Sequence, residues 1–191
     1  MSVPTSLDLP RGVQAVEIET SRGFFAAHQI RSPDARAHVL MIAGWTGSKE
    51  DFTPMLPLLA AAGFDATAYD QRGQFETPGH ADADYSLDGL GADAAAVADV
   101  CSSAPTHLLG HSFGGLVAQR AVLAEPALWR TLSLLGTGPG ALGESDERPL
   151  GLMLQALDHD VPLADIHTFR EDGAKRRPDI AEFLLRRFTS N

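Results

Sequence analysis

The six residues from His38 to Ala43, His-Val-Leu-Met-Ile-Ala, constrain this chain more than any others. A nearly continuous apolar run of that length fits a strand covered on both faces rather than one with a wet side. The sequence around it supplies the covering layers. Thr53-Pro54 has the N-cap and first-turn chemistry of a helix start, Leu and Ala residues continue to Ala62, and Gly63 is a plausible stop. Phe64 to Tyr69 reads as the next strand. Ser86 to Ser103 reads as an alanine-rich helix, weakened by Gly89 and Gly91. Thr106 to Leu109 is a strand, a helix begins at Phe113, and Thr131 to Leu135 is a further strand. Alternation of this kind predicts a mostly parallel sheet with helices on both faces.

Two segments depart from the alternation. Val13 to Glu19 alternates apolar and polar residues, Ser21-Arg22-Gly23 is a turn, and Phe24 to Ile30 is apolar and bulky, which predicts an antiparallel N-terminal hairpin. After Gly136 the strands stop. Leu150 to Leu157, Leu163 to Arg170 and Asp179 to Phe188 each read as short helices. The expected fold class is therefore α/β, a three-layer α/β/α sandwich, with residues 1–137 forming a six-stranded core and residues 138–191 a helical, cap-like segment.

Charge and composition narrow the functional classes. Fifteen basic against 25 acidic residues give a net charge of −10, which repels phosphate backbones and anionic lipid, so neither nucleic acid nor a membrane is an expected partner. No apolar run approaches the ~18 residues of a membrane span, and Met1 to Pro10 lacks a basic segment followed by an apolar core. A cytoplasmic location is the default expectation. The single cysteine, Cys101, lies in a helical alanine pattern and reads as a small packed residue. His159 and His167, eight residues apart and without partners, read as surface or packing histidines. No metal cluster or nucleotide fingerprint is recognisable, so no cofactor is expected.

The chemistry concentrates in Gly110-His-Ser-Phe-Gly-Gly115, set between the Thr106 strand and the Phe113 helix. It has the layout of a nucleophile elbow, in which a strand turns sharply into a helix with Ser112 at the apex. Glycine is required at 110 and 114 because side chains there would meet neighbouring backbone. The same stretch lacks the lysine and the glycine spacing of a phosphate-binding loop.

In motif order, residues 13 to 136 resemble the α/β-hydrolase superfamily. Gly44-Trp45 falls after the third strand, where that family has its oxyanion loop. Asp70-Gln-Arg-Gly73 follows the fourth strand like the family's D-x-R-G turn, with Phe75 and Thr77 where glycine and serine are frequent. The elbow follows the fifth. The resemblance implies acyl transfer. Ser112 attacks a carbonyl, and the backbone N–H groups of Phe113 and Trp45 stabilise the oxygen that becomes negative. Asp70 and Arg72 are expected to brace loops rather than catalyse. A serine at this position also separates the chain from relatives that use aspartate for dehalogenation or epoxide opening.

A serine nucleophile in this superfamily needs an acid and then a histidine further along the chain, and neither is identifiable. His111 should point away from Ser112, His107 belongs to the far end of its strand, and His80, with Asp82 and Asp84 nearby, lacks a family precedent. The plainest expectation is the N-terminal part of a longer hydrolase, whose last strand would present an unpaired apolar edge open to oligomerisation. Two others stand beside it: a hydrolase-like protein that only binds a small ligand, and a chain completed by a separate partner. The expected substrate is a small carboxylic ester or related acyl compound.

Overall fold

The computed structural model describes Pro4, residues 6–138 and residues 178–190. Strands β1 (Gln14–Thr20) and β2 (Gly23–Ile30) form the expected hairpin, in register from Gln14 opposite Gln29 to Thr20 opposite Gly23. Then come β3 (Ala37–Ile42), α1 (Leu56–Ala61), β4 (Phe64–Tyr69), α2 (Leu87–Cys101), β5 (Thr106–His111), α3 (Phe113–Ala124) and β6 (Trp129–Leu135). The expected helix from Asp179 is present as a 3₁₀ turn, Pro178–Ile180, followed by α4 (Ala181–Thr189). The two other expected helices, 150–157 and 163–170, lie outside the described residues.

One boundary differs from expectation for a clear reason. Thr53–Met55 is a 3₁₀ turn and the α-helix starts only at Leu56. An α-helical bond to the Thr53 carbonyl would need an amide hydrogen at residue 57, which is proline. The Leu56 amide donates to that carbonyl instead.

The sheet runs β1-β2-β4-β3-β5-β6. β2 meets β4 antiparallel, and β4, β3, β5 and β6 are parallel to one another. β3 is central, and its run of apolar residues feeds both faces. Leu40 and Ile42 pack with Phe25, Leu108 and the α2 and α3 residues Val97, Ala98 and Val117. Val39, Met41 and Ala43 pack on the other face with Ala66, Phe52 and Leu56 of α1. A strand buried on both faces is therefore what the His38 to Ala43 run encodes, and the three layers follow from it.

The two edges of the sheet differ. Along β1, Val16 and Ile18 turn inward while Glu17 and Glu19 are exposed. Along β6, the last strand among the described residues, Leu134 and Leu135 are exposed, the latter by 54%. Among the described residues no further strand pairs with β6.

The glycines of α2 are contact points rather than flaws. Ser86 caps the helix by accepting the Gly89 amide at 3.0 Å, and a Cβ on Gly89 would lie inside contact distance of the Asp84 backbone oxygen. A Cβ on Gly91 would come within 3.0 Å of the Ala121 nitrogen in α3. Helix propensity alone would favour Gly89→Ala by about 1 kcal/mol, yet the crowding should reverse the sign and lower stability by about 1 kcal/mol or more. The midpoint of urea denaturation checks this.

Candidate active site

Ser112 sits where β5 ends and α3 begins, with φ 51° and ψ −119°. An L-residue rarely holds that backbone conformation, so the surroundings must over-determine it. They do so by close packing. A Cβ on Gly110 would run into the Gly114 carbonyl and the Gly115 backbone. One on Gly114 would run into the carbonyl oxygens of Ile42 and Ala43. The Ser112 amide donates to Leu135 O at 2.9 Å, tying the turn to β6, and Thr137 Oγ1 donates to Ser112 O at 3.2 Å. Ser112 itself is exposed at the apex.

The loop after β3 lies against this turn. A Cβ on Gly44 would be 3.2 Å from the Ser112 Cβ and 3.1 Å from His111 Nδ1, so the two segments meet more closely than most side chains allow. Trp45 follows, 43% exposed, and Thr46 holds φ 58° in a turn closed by Gly47 N–H donating to Gly44 O at 2.9 Å. Phe113 opens α3, so its amide is among the helix's orphan donors. Among the described residues no acceptor takes the amide hydrogen of Phe113 or Trp45. Orphan amides beside an exposed serine can receive an oxygen that gains negative charge.

The turn after β4 is a brace, as expected for Asp70 and Arg72. Arg72 donates from Nε and Nη2 to Asp93 of α2, at 2.7 Å each, and Arg22 of the hairpin turn donates to the same carboxylate. Asp70 accepts Lys49 Nζ at 2.8 Å and the Lys49 amide at 2.7 Å. Phe75, where glycine is frequent in this motif, keeps a glycine-like φ of 45°. Its ring is held by Phe183 of α4, centroid to centroid 5.5 Å, and by Lys49 Nζ at 4.8 Å. Thr77 donates to Asp70 O and accepts from the Ala26 amide, so it locks the same turn.

Sequence reasoning missed Lys49. Within a Ser-Lys-Glu-Asp run it reads as a surface charge, yet it is 2% exposed and meets Asp70, Glu50 at 3.1 Å and Glu76 at 2.7 Å. Burial would lower its pKa, but the charges of Asp70 and Glu50 and the bonds to Asp70 and Glu76 outweigh that and raise it. At Asp70 the balance falls the other way. Desolvation outweighs the pull of Lys49, Glu50 adds repulsion, and the pKa is pushed up from 3.8 to about 7. Arg187 of α4, also fully buried, donates to Asp51 at 2.8 Å and to Ser48 at 3.4 Å, fastening the next turn of the same loop.

Among the described residues no histidine side chain bonds Ser112 Oγ. His111 sits between Gly44 and Gly136, as the elbow geometry predicts for the residue before the apex. His107 pairs with Thr131 Oγ1 at 2.8 Å, about 16 Å back along β5 at the usual rise per residue. His80 is exposed and engages Tyr85 through its backbone only. His159 and His167 lie outside the described residues. Among the described residues no side chain bonds Ser112 Oγ and no metal-binding cluster occurs. Cys101 is buried, and burial raises its thiol pKa. No helix of the described residues is long and apolar enough to cross a membrane.

Beside the elbow is a cavity of about 260 Å³, lined by Trp45, Phe113, Leu90, Tyr85 and residues 71–74. Residues 37–165, which include β3 to β6, the elbow and the glycine loop facing it, match a family model described as alpha/beta hydrolase fold. The chain belongs to that family. It is 34% identical over 155 residues to the pimeloyl-(acyl-carrier protein) methyl ester esterase of Neisseria meningitidis serogroup B, covering 80% of this chain and 53% of that protein. It is 26% identical over 172 residues to the non-heme chloroperoxidase of Streptomyces lividans, covering 82% and 62%. A carboxylesterase of the thaumarchaeon Nitrososphaera gargenis has the same fold, with a TM-score of 0.71 at 16% identity, covering 92% of this chain and 67% of that one. The chain spans about half the length of the curated relatives it matches.

The Asp70 shift has a measurable consequence. A folded pKa raised above the unfolded value means stability that is present below pH 4 and lost as pH rises toward 7. His38, held down to about 4 by burial first and then by Arg31, contributes the opposite slope. Comparison with Asp70→Asn therefore isolates the aspartate. Relative to that variant, the natural chain should lose stability between about pH 4 and pH 7, as read from thermal midpoints at fixed ionic strength.

Proposed function

We propose that this chain carries the nucleophile and oxyanion site of a serine hydrolase acting on small carboxylic esters or related acyl compounds. The observation that carries the reading is the strained Ser112 at the head of α3, next in the chain to the orphan amide of Phe113 and packed against Gly44, whose neighbour Trp45 has the second orphan amide. Ser112 gives its hydroxyl proton to a general base as Oγ bonds to the carbonyl carbon, the C=O π pair moves onto the carbonyl oxygen, and the amides of Phe113 and Trp45 donate to that oxygen. The preference for amides over a charged group is physical. Fixed dipoles in a poorly hydrated site are already oriented when the charge develops.

The substrate class draws on two supports. The relatives include a methyl ester esterase, and the cavity beside Trp45 and Phe113, about 260 Å³, has room for a small acyl group. Its walls are aromatic and neutral amide, with Arg72 already committed to Asp93. A general base and its acid are not assigned among the described residues. The cap-like role expected of residues 138–191, the cytoplasmic location and strand pairing at β6 are part of the same proposal.

A fluorophosphonate probe tests it directly. The chain should be labelled at Ser112, as located by peptide mass spectrometry, and Ser112→Ala should abolish labelling without changing the thermal midpoint. A folded chain that stays unlabelled would refute an activated serine here and favour a hydrolase-like binding protein.

A further inference from the structure

We propose that Gln71 and Gln74 are positioning residues for the backbone donor at Trp45, an inference that rests on the reading of Ser112 given above. Both lie on the turn after β4, both are buried, and each aims its side-chain amide at one carbonyl of the facing loop. Gln71 Nε2 donates to Ala43 O at 3.0 Å, and Gln74 Nε2 donates to Gly44 O at 3.3 Å. Gln71 Nε2 also donates to Gln74 Oε1 at 3.2 Å, so the two amides act as one unit.

The mechanism is the planarity of the peptide group. The Gly44 carbonyl and the Trp45 N–H belong to one trans unit and point in opposite directions. A donor that holds the Gly44 oxygen toward the β4 turn therefore aims the Trp45 hydrogen the other way. The Ala43 carbonyl and the Gly44 amide are coupled identically through Gln71. This loop has reason to need holding. Its turn places a β-branched residue, Thr46, at φ 58°, where glycine or asparagine is normally required.

Stability alone does not account for the pair. Gln71 Oε1 is buried with no hydrogen-bond partner among the described residues, because its Nε2 is committed to Ala43. An unsatisfied acceptor kept at the heart of the loop indicates that the direction of the donor matters there. The two side chains are also neutral. They orient the loop without placing a second charge beside the developing oxyanion.

The test uses Gln71→Leu, Gln74→Leu and Gln74→Glu in the full chain, with two readouts. The first is fluorophosphonate labelling of Ser112. Loss of a whole oxyanion donor costs about 10²–10³ in rate, and a misdirected one should cost about tenfold in kinact with KI unchanged. The second needs no chemistry at Ser112. Hydrogen exchange at the Gly47 amide, which closes the loop's turn, should accelerate while amides of β3 and β5 do not change. Gln74→Glu keeps the volume but replaces the donor. It should be as slow as Gln74→Leu near neutrality and recover relative to the natural chain as the carboxyl protonates, which packing alone would not produce. Unchanged Gly47 exchange in all three variants, or a rise in KI with kinact unaffected, would overturn the inference. If the natural chain is not labelled, the Ser112 reading fails and Gly47 exchange alone decides the role of the glutamines.

Discussion

The structure depends on how closely α3 approaches β3. The Gly114 Cα lies so near the carbonyl oxygens of Ile42 and Ala43 that no side chain fits between them. That contact does two things at once. It seats the helix on the central strand, where Val117, Ala118 and Ala121 complete the core with α2. It also pulls the head of the helix beside the loop leaving β3, which is why Ser112 and Gly44 come within reach of each other. Gly110 and Gly44 are further consequences of one tight crossing. The fold and the site are held by the same few ångströms, so neither can be relaxed without the other.

Around that crossing, buried charge supplies definition more than stability. Ion pairs taken out of water recover their desolvation cost only with good geometry and additional hydrogen bonds. Lys49 meets three carboxylates, Arg187 meets Asp51 and Ser48, and Asp93 gathers Arg22 and Arg72. Apart from the neighbouring Lys49 and Glu50, each pair joins segments distant in sequence. The loop from Gly44 to Asp51 is thereby fastened from below by the β4 turn and from outside by α4. A loop so constrained can carry Thr46 in an unfavourable conformation, as loops at functional sites often do.

How much of this could be read beforehand depended on the range of the interaction. The His38 to Ala43 run, the alternation of strands and helices, and the glycines of the elbow are local signals, and the strands and the elbow lie where they indicate. Gly89 and Gly91 were visible only as poor helix formers, since the neighbours that forbid a side chain, Asp84 and Ala121, come from a loop and another helix. Lys49 gave no sign of burial, because its partners at 70 and 76 are reached only after β3 and β4 have paired. Gln71 and Gln74 gave no local sign of burial for the same reason. The start of α1 was a missed local signal: Pro57 forbids the bond that a helix from Thr53 would need. Phe75 is the subtlest case. Its position demands a backbone conformation that glycine takes freely, and here an aromatic side chain takes it because Phe183 and two cations hold the ring.

The two edges of the described sheet differ in what a further strand would meet there. Carboxylates on β1 would face any chain that paired there with repulsion and a desolvation cost, in a protein already carrying a charge of −10. At β6 a newcomer would instead cover Leu134 and Leu135 and satisfy backbone groups in the same act. Extension is thus chemically one-sided. A strand added beside β6 would pair on the side away from β5, while on the β5 side Leu135 accepts the amide of Ser112, so the open edge of the described sheet and the turn that carries Ser112 share a strand.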